Sequence, residues 1–111
     1  MTERMFLGEF EQMVLLAILQ LGDGAYAVPV RQEIERCAAR SVARGALYTA
    51  LERLEAKGCL ISRMSDPTPE RGGRSRRYYS VTAAGGAALH NSREAMNRLW
   101  RGIESAVDRR A

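Results

Sequence analysis

The sequence predicts a mostly helical fold with one small β-hairpin, and three observations support this prediction. Apolar residues recur at helical spacing in three successive segments of the first half. After residue 58 the spacing changes to strand-like alternation in CLISRM and RYYSV, which flank a loop with two prolines and two glycines. Helical spacing then returns at the C-terminus. Three helices, a hairpin and a final helix follow the order of a winged helix-turn-helix with an added C-terminal helix.

The first helix is predicted over FEQMVLLAILQL, residues 10–21. Met13, Leu16 and Leu19 widen its apolar zone beyond one face, so we expect this helix to pack on two sides. The segment Gly22-Asp23-Gly24 ends it, because glycine commonly follows a helix C-terminus. Its inner face is formed by Phe10, Val14, Ala17, Ile18 and Leu21.

A second helix is predicted at roughly residues 26–39. Pro29 has no amide hydrogen and is tolerated only in a first turn, which places the helix start just before it. Val30, Ile34 and Cys37 are expected to form the inner face. The outer face carries Arg31, Glu33, Glu35 and Arg36.

The third helix, predicted at residues 43–57, is the candidate recognition helix. Gly58 stands where a helix C-terminus favours glycine. Ala43 stands at the N-cap position, where alanine is unfavourable, and Ser41 is the alternative cap. The inward stripe is Leu47, Ala50, Leu51 and Leu54, and the opposite face carries Gly45, Tyr48, Thr49, Glu52 and Arg53.

The last helix is predicted to begin after Thr82 as its cap and to continue to about residue 109, which makes it ~42 Å long at the helical rise. A domain of this size cannot bury the apolar stripe of such a helix, so we predict a homodimer formed through it. The chain divides accordingly into a DNA-binding domain (1–81) and a C-terminal dimerisation helix (82–111). Residues assigned to the dimer interface, or to a ligand pocket within it, are Phe10, Met13, Leu89, Met96, Leu99, Trp100, Ile103 and Val107.

Composition excludes several classes of protein. The chain has 111 residues, enough for one domain, and no apolar run long enough to span a membrane. Residues 13–19 follow a charged stretch and lack a small-residue cleavage pattern, so we predict no signal peptide and expect a cytoplasmic protein. Cys37 and Cys59 belong to no CxxC or Cys/His cluster, which argues against a zinc site and favours two buried, reduced thiols. His90 has no second histidine to complete a catalytic or metal-binding set. We expect neither an enzyme nor a cofactor.

The net charge of +4 is concentrated in the middle of the chain. Residues 1–40 carry four basic and six acidic side chains, residues 41–80 carry eight and four, and residues 81–111 carry five and three. Lys57 is the one lysine among 17 basic residues, and arginine favours bidentate contacts to phosphate or guanine. Four of the arginines fall within the hairpin loop ERGGRSRR, whose glycines allow close backbone approach to a partner. An Arg-rich loop beside a recognition helix indicates DNA binding. The repulsion among its arginines is offset when the loop binds DNA and displaces the counterions of the phosphates.

The segments LGEFEQMVLLAILQLGDGAYAVPVRQEIE, GALYTALERLEAKGCL and RGGRSRRYYSVTAAG closely resemble the PadR family of bacterial transcription regulators. The short C-terminal region is similar to that of the small subfamily, which has a single dimerisation helix. The resemblance implies a homodimeric repressor that binds a palindromic operator and is released by a ligand or a stress signal.

The expected DNA-binding residues come from three regions. The resemblance assigns Tyr26, at the start of the second helix, to a phosphate, and implies that Tyr79 packs inward. The recognition helix enters the major groove, and the wing, residues 66–77, contacts flanking backbone or the minor groove. The recognition-helix region contributes Ser41, Arg44, Gly45, Tyr48, Thr49 and Arg53, and the wing contributes Arg71, Gly73, Arg74, Arg76 and Arg77.

Several assignments have alternatives. Arg53 is a candidate phosphate contact, or a partner of Glu52 or Glu55. Glu52 either accepts a hydrogen bond from a cytosine or orients Arg53. Trp100 packs in the dimer interface or stacks on a small hydrophobic effector. For the whole chain, the alternatives to a repressor are a winged-helix module that binds a partner protein and a small-molecule sensor with a hydrophobic pocket at the dimer interface.

Overall fold

A computed structural model describes residues 5–66 and 75–110 of the chain. The two strands pair antiparallel, with Leu60 opposite Val81 and Met64 opposite Arg77. The fold is a winged helix-turn-helix, and the order predicted from the sequence is confirmed. The elements are α1 (Glu9–Leu21), α2 (Ala27–Ala38), α3 (Arg44–Ala56), β1 (Leu60–Met64), β2 (Arg77–Val81), α4 (Ala83–Trp100) and α5 (Glu104–Arg110), with a short 3-10 turn at Gly22–Gly24.

The core lies between α1, α2, α3 and the hairpin. The four residues predicted to form the inward stripe of α3 are all buried. In α1 the burial is wider than the predicted inner face, because Leu15 is also fully enclosed. Each buried side chain of this size contributes about 1.5–3 kcal/mol to the free energy of folding. This apolar packing fixes the position of α3 and leaves its opposite face outward.

The hairpin is attached to the helices at both of its ends. The amide of Tyr79 in β2 donates a hydrogen bond of 2.8 Å to the carbonyl of Ala25, two residues before α2. At the other end, the side chain of Thr82 accepts from the amide of Gly85 at 3.1 Å, which confirms Thr82 as the cap of α4, and donates to the carbonyl of Gly58 at 2.6 Å. A Cβ at Gly85 would clash with the carbonyl oxygen of Cys59, so this contact requires glycine.

The prediction of one continuous C-terminal helix is wrong. The helix ends at Trp100, residues 101–103 form a turn in which Gly102 has φ +85°, and α5 follows. Glycine adopts this left-handed conformation without steric cost, and it is a common way to end a helix. The first half of α4 buries Gly85, Ala88 and Ser92, whereas α5 buries no residue.

The prediction that Cys37 is buried is also wrong, while Cys59 is buried as expected. Cys37 lies in the last turn of α2, at the rim of an apolar groove between α1 and α2. Leu16 on the other side of this groove is itself exposed, so nothing within the described residues covers the thiol. Leu16 and Leu19 form the second apolar side of α1, which no described part of the chain covers.

Among the described residues, no helix combines the length and the apolar character that a bilayer crossing requires.

Candidate nucleic-acid interface

The outward face of α3 carries the side chains predicted to contact DNA. Arg44, Gly45, Tyr48, Thr49 and Arg53 are all exposed, because the helical repeat places them away from the buried leucine stripe. Tyr48 is 42% exposed. Ala43 is the N-cap, and no side chain caps the helix, so the alternative cap Ser41 is not observed.

A cleft of about 620 Å³, here called the wing cleft, separates α3 from the hairpin. The first turn of α2 closes one end of it. Because it contains both carboxylates and guanidinium groups, its charge is mixed. Its polar lining comprises Tyr26, Tyr48, Glu52, Glu55, Ser75, Arg76, Arg77 and Tyr79.

Two arginine and two tyrosine side chains stack beside the wing cleft, in the order Arg76, Tyr26, Tyr78 and Arg63. The Arg76 guanidinium lies 4.5 Å from the centre of the Tyr26 ring, and Arg63 lies 4.9 Å from that of Tyr78. The two tyrosine rings meet edge to face, with their centres 5.5 Å apart. Cation–π contacts at exposed sites stabilise by about 0.5–1 kcal/mol each. The stack therefore holds the base of the wing against the start of α2.

A hydrogen-bonded chain connects the hairpin to α3. Arg77 donates to the Oγ of Ser62 at 2.9 Å, and Ser62 donates to Oε2 of Glu55 at 3.2 Å. At the loop end of the hairpin, Arg76 and Ser65 are joined by two hydrogen bonds of 2.8 Å: the Arg76 amide donates to the Ser65 Oγ, and the Ser65 amide donates to the Arg76 carbonyl. Arg77 thus links β2 to α3 through Ser62 and Glu55, while the guanidinium of Arg76 lies over the ring of Tyr26, the N-cap of α2.

Tyr79 packs inward, as the family resemblance implied, and is 6% exposed. Burial raises the pKa of its phenol above the ordinary value, and Arg77 opposes that shift only partly. The ring therefore stays neutral at physiological pH and forms part of the floor of the wing cleft.

A smaller cleft of about 190 Å³ lies on the other side of Tyr48, between α2 and α3, and is here called the helix cleft. Its polar lining is Arg31, Arg44 and Tyr48. Arg31 was predicted to lie on the outer face of the second helix and is not among the residues expected to contact DNA. The spacing within the helix could have identified Arg31 as a candidate. Arg31 lies four residues after Ala27, so the two residues share one face of α2, and that face starts next to Tyr26.

The remaining predicted residues of the recognition region lie toward α1. Gly45, Thr49 and Arg53 line a cleft with Glu9 and Glu11, and Ser41 lines another beside Phe10. Arg53 makes no ion pair with Glu52 or Glu55 within the described part of the chain. The structure therefore groups Tyr26, Tyr48, Arg76 and Arg77 around one cleft, and separates them from Thr49, Arg53 and Ser41. Arg71, Gly73 and Arg74 lie outside the described residues.

The residues assigned to the dimer interface fall into two groups. Phe10, Met13 and Leu89 are partly buried against the chain's own core. The others lie beyond the packed part of α4 and are exposed; these are Met96, Leu99, Trp100, Ile103 and Val107, and Leu99 reaches 73%. The exposed group forms an apolar surface on both sides of the turn at residues 101–103.

The comparisons with known proteins agree with this architecture. The model of the transcriptional regulator PadR-like family matches residues 15–91. Transcriptional regulator Rv3488 of Mycobacterium tuberculosis is 45% identical over 74 residues, which are 65% of this chain and 63% of that protein. The chain thus matches less than two thirds of the length of this relative.

Solved structures show the same fold. A PadR family transcription regulator from Clostridium difficile superposes with a TM-score of 0.62 at 25% identity, covering 90% of this chain and 96% of that one. A transcriptional regulator from Clostridium thermocellum superposes with a TM-score of 0.70 over 86% of both chains, and at 22% identity it supports the fold alone. The family match covers more than half of the residues. This chain belongs to the PadR-like family of transcriptional regulators.

Proposed function

We propose that the protein is a cytoplasmic, homodimeric repressor that binds a palindromic DNA operator. Residues 1–81 form the DNA-binding domain, and residues 82–111 form the dimerising segment. The observation that carries the proposal is the outward face of α3, where exposed Tyr48 stands between two clefts that both contain arginine side chains. Tyr48 and Arg44 are exposed on α3, and DNA supplies the phosphates and base edges that such side chains match.

In the proposed complex each protomer places α3 in a major groove. The two recognition helices of a dimer then lie about 34 Å apart, one turn of the double helix. The Arg-rich wing contacts the flanking backbone or the minor groove, where each phosphate neutralised adds about 0.9 to the salt dependence of the binding constant. Glu52 projects from the same face and either accepts from a cytosine amino group or orients a neighbouring arginine.

The second copy is expected to cover the exposed apolar surface at the end of α4 and on α5. Met96, Leu99 and Trp100 lie within two helical turns of each other and are exposed. Methionine and tryptophan together form an adaptable surface that accommodates flat apolar molecules. A small hydrophobic effector bound there is the second candidate function, and it would act by changing the spacing of the two α3 helices.

A fluorescence anisotropy titration tests the proposed function. The probe is the duplex that lies upstream of the protein's own gene, and the control is a shuffled duplex of equal composition, each at two salt concentrations. We expect about 10³-fold tighter binding to the native duplex, weakened as salt rises. Equal, weak binding to both duplexes would contradict a sequence-specific regulator and would favour a protein partner. Light scattering of the free protein tests the dimer, because a monomer at micromolar concentration would contradict it.

A further inference from the structure

Among the charged residues of α2, Arg31 has the fewest of its hydrogen-bonding groups paired within the described part of the chain. Its Nε is buried and has no hydrogen-bond partner among the described residues. A guanidinium group has five N–H donors, and a buried donor left without an acceptor costs free energy. The side chain faces the helix cleft together with Arg44 and Tyr48. Arg31 thus has a donor without an acceptor among the described residues and lines a cleft with a second arginine.

The acidic residues of α2 do not supply that acceptor. Glu33 pairs with Arg36 at 2.8 Å, and Arg36 lowers the pKa of this carboxyl below its usual value. Glu35 accepts a hydrogen bond of 2.8 Å from the amide of Val42. No carboxylate lines the helix cleft, whereas the wing cleft contains Glu52 and Glu55. The helix cleft thus has a positive charge that the described residues do not balance.

The position of the helix cleft indicates which anion it receives. It shares Ala27, Val28 and Tyr48 with the wing cleft, so the two lie side by side along one surface. A nucleic-acid backbone that follows α3 away from the wing passes over Tyr48 and reaches Arg31. A phosphate group has the oxygen atoms that a planar guanidinium contacts in pairs.

We propose that Arg31, together with Arg44 and Tyr48, binds one phosphate of the DNA backbone in the helix cleft between α2 and α3. This inference rests on the proposed function, since it assumes that the surface around α3 faces DNA. It extends the DNA surface beyond the residues that the sequence pattern identified, and it separates a backbone-anchoring site from the mixed-charge wing cleft.

The test compares two variants that remove the same charge from the same helix. Arg31→Gln removes the proposed phosphate contact, while Arg36→Gln removes an exposed arginine that is paired with Glu33 outside the helix cleft. We expect Arg31→Gln to weaken binding to the native and the shuffled duplex alike by about tenfold, and to lower the salt slope by about 0.9. Arg36→Gln should change both affinities less than twofold.

A third variant separates binding from folding. Arg31→Lys keeps the charge but loses the planar pair of donors, so it should keep the salt slope and show intermediate affinity. Thermal melting of each variant checks that the fold is retained. If Arg31→Gln does not fold, the affinity of Arg31→Lys for DNA tests the proposal by itself. An affinity equal to that of the wild type would then overturn the proposed phosphate contact.

The outcomes distinguish this inference from the proposed function. If the wild type does not prefer the native duplex, the proposed function fails. If the wild type binds specifically and Arg31→Gln behaves like Arg36→Gln, the proposed function stands and the phosphate contact is overturned. Stabilisation of the wild type by inorganic phosphate at constant ionic strength, with full duplex affinity in Arg31→Gln, would assign the helix cleft to a free anion and would also overturn it.

Discussion

The wing cleft and the helix cleft lie on opposite sides of the same residue, Tyr48, yet they differ in charge. The wing cleft combines Arg76 and Arg77 with two carboxylates, and its side chains already contact one another. The helix cleft combines Arg31 and Arg44 with no carboxylate, and one buried donor is unpaired.

In the proposed DNA complex, this difference separates two tasks on one surface. A mixed-charge site with defined internal contacts can position a wing and discriminate between donors and acceptors on bases. A site that contains only positive charge attracts phosphate wherever it occurs and carries no sequence information. We therefore expect substitutions in the helix cleft to alter the affinity for all DNA sequences by the same factor. Substitutions of Glu52 in the wing cleft should instead alter the preference for one sequence over another.

The largest effect is expected when the wing loses its charge. Replacing Arg71, Arg74, Arg76 and Arg77 by Ala should weaken binding to native and shuffled duplexes by about 100-fold or more, and should reduce the salt slope by up to about 3.6 if each arginine meets a phosphate. Anisotropy titrations at several salt concentrations measure both quantities. An unchanged affinity and slope would remove the wing from the DNA surface and leave the helix cleft as the main basic site.

A smaller effect is expected at Gly45, on the outward face of α3. A Cβ at this position would meet no atom of the described residues within 4 Å, and alanine is the better helix former, so Gly45→Ala should leave the melting temperature equal or higher. If DNA approaches α3 closely, the added methyl group should still weaken binding by about tenfold. Gly86→Ala is the matched control, because a Cβ at Gly86, in α4, is equally free of contacts. Equal affinity of the two variants would place the DNA away from the first turn of α3.

Glu52→Gln tests the mixed charge of the wing cleft. Loss of the carboxylate should strengthen binding to shuffled DNA a few-fold, because one repulsive charge is removed. If Glu52 accepts from a cytosine, the preference for the native duplex should fall by about tenfold, within the range of a single base contact. Competition with single-base variants of the native duplex locates the position. If Glu52→Gln binds DNA more tightly but keeps the same sequence preference, the role of Glu52 is to orient neighbouring arginines.

The smallest effect is expected at the cysteines, which line neither cleft. Burial raises the pKa of the Cys59 thiol, so it remains protonated at neutral pH, whereas Cys37 is exposed. A thiol reagent at pH 7.5 should modify Cys37 quickly and Cys59 only after unfolding, with less than a twofold change in DNA affinity. Raising the pH should destabilise the fold through Cys59, since the unfolded thiol ionises first. Rapid modification of both thiols would contradict the buried position of Cys59.

The sequence alone predicted those features of the fold that depend on residues close to one another in the chain. The inward stripe of α3 follows from apolar spacing, Gly58 adopts the positive φ expected beyond a helix end, and Thr82 caps α4. The break after Trp100 was missed because the apolar spacing continues across it, while the left-handed Gly102 depends on one backbone conformation that spacing does not encode.

The site was predicted less completely than the fold for a physical reason. The places of Tyr48 and Arg76 in the candidate site follow from their positions on single elements, but Arg31 lines the helix cleft only because α2 approaches α3 beside it. Cys37 has the helical spacing of a core residue, yet it is exposed because α1 leaves the last turn of α2 uncovered. Both outcomes depend on the distance between helices, which the spacing within one helix does not determine.

Backbone amide NMR of the labelled protein, titrated with the native duplex, tests the central claim most directly. The claim is that DNA lies on the surface formed by α3, the start of α2 and the hairpin. The largest shifts should then fall at Arg31, Arg44, Gly45, Tyr48 and Arg76, while Leu16 and Cys37 beside the α1–α2 groove stay unchanged. Shifts concentrated in that groove or along α4, with α3 unaffected, would contradict the claim.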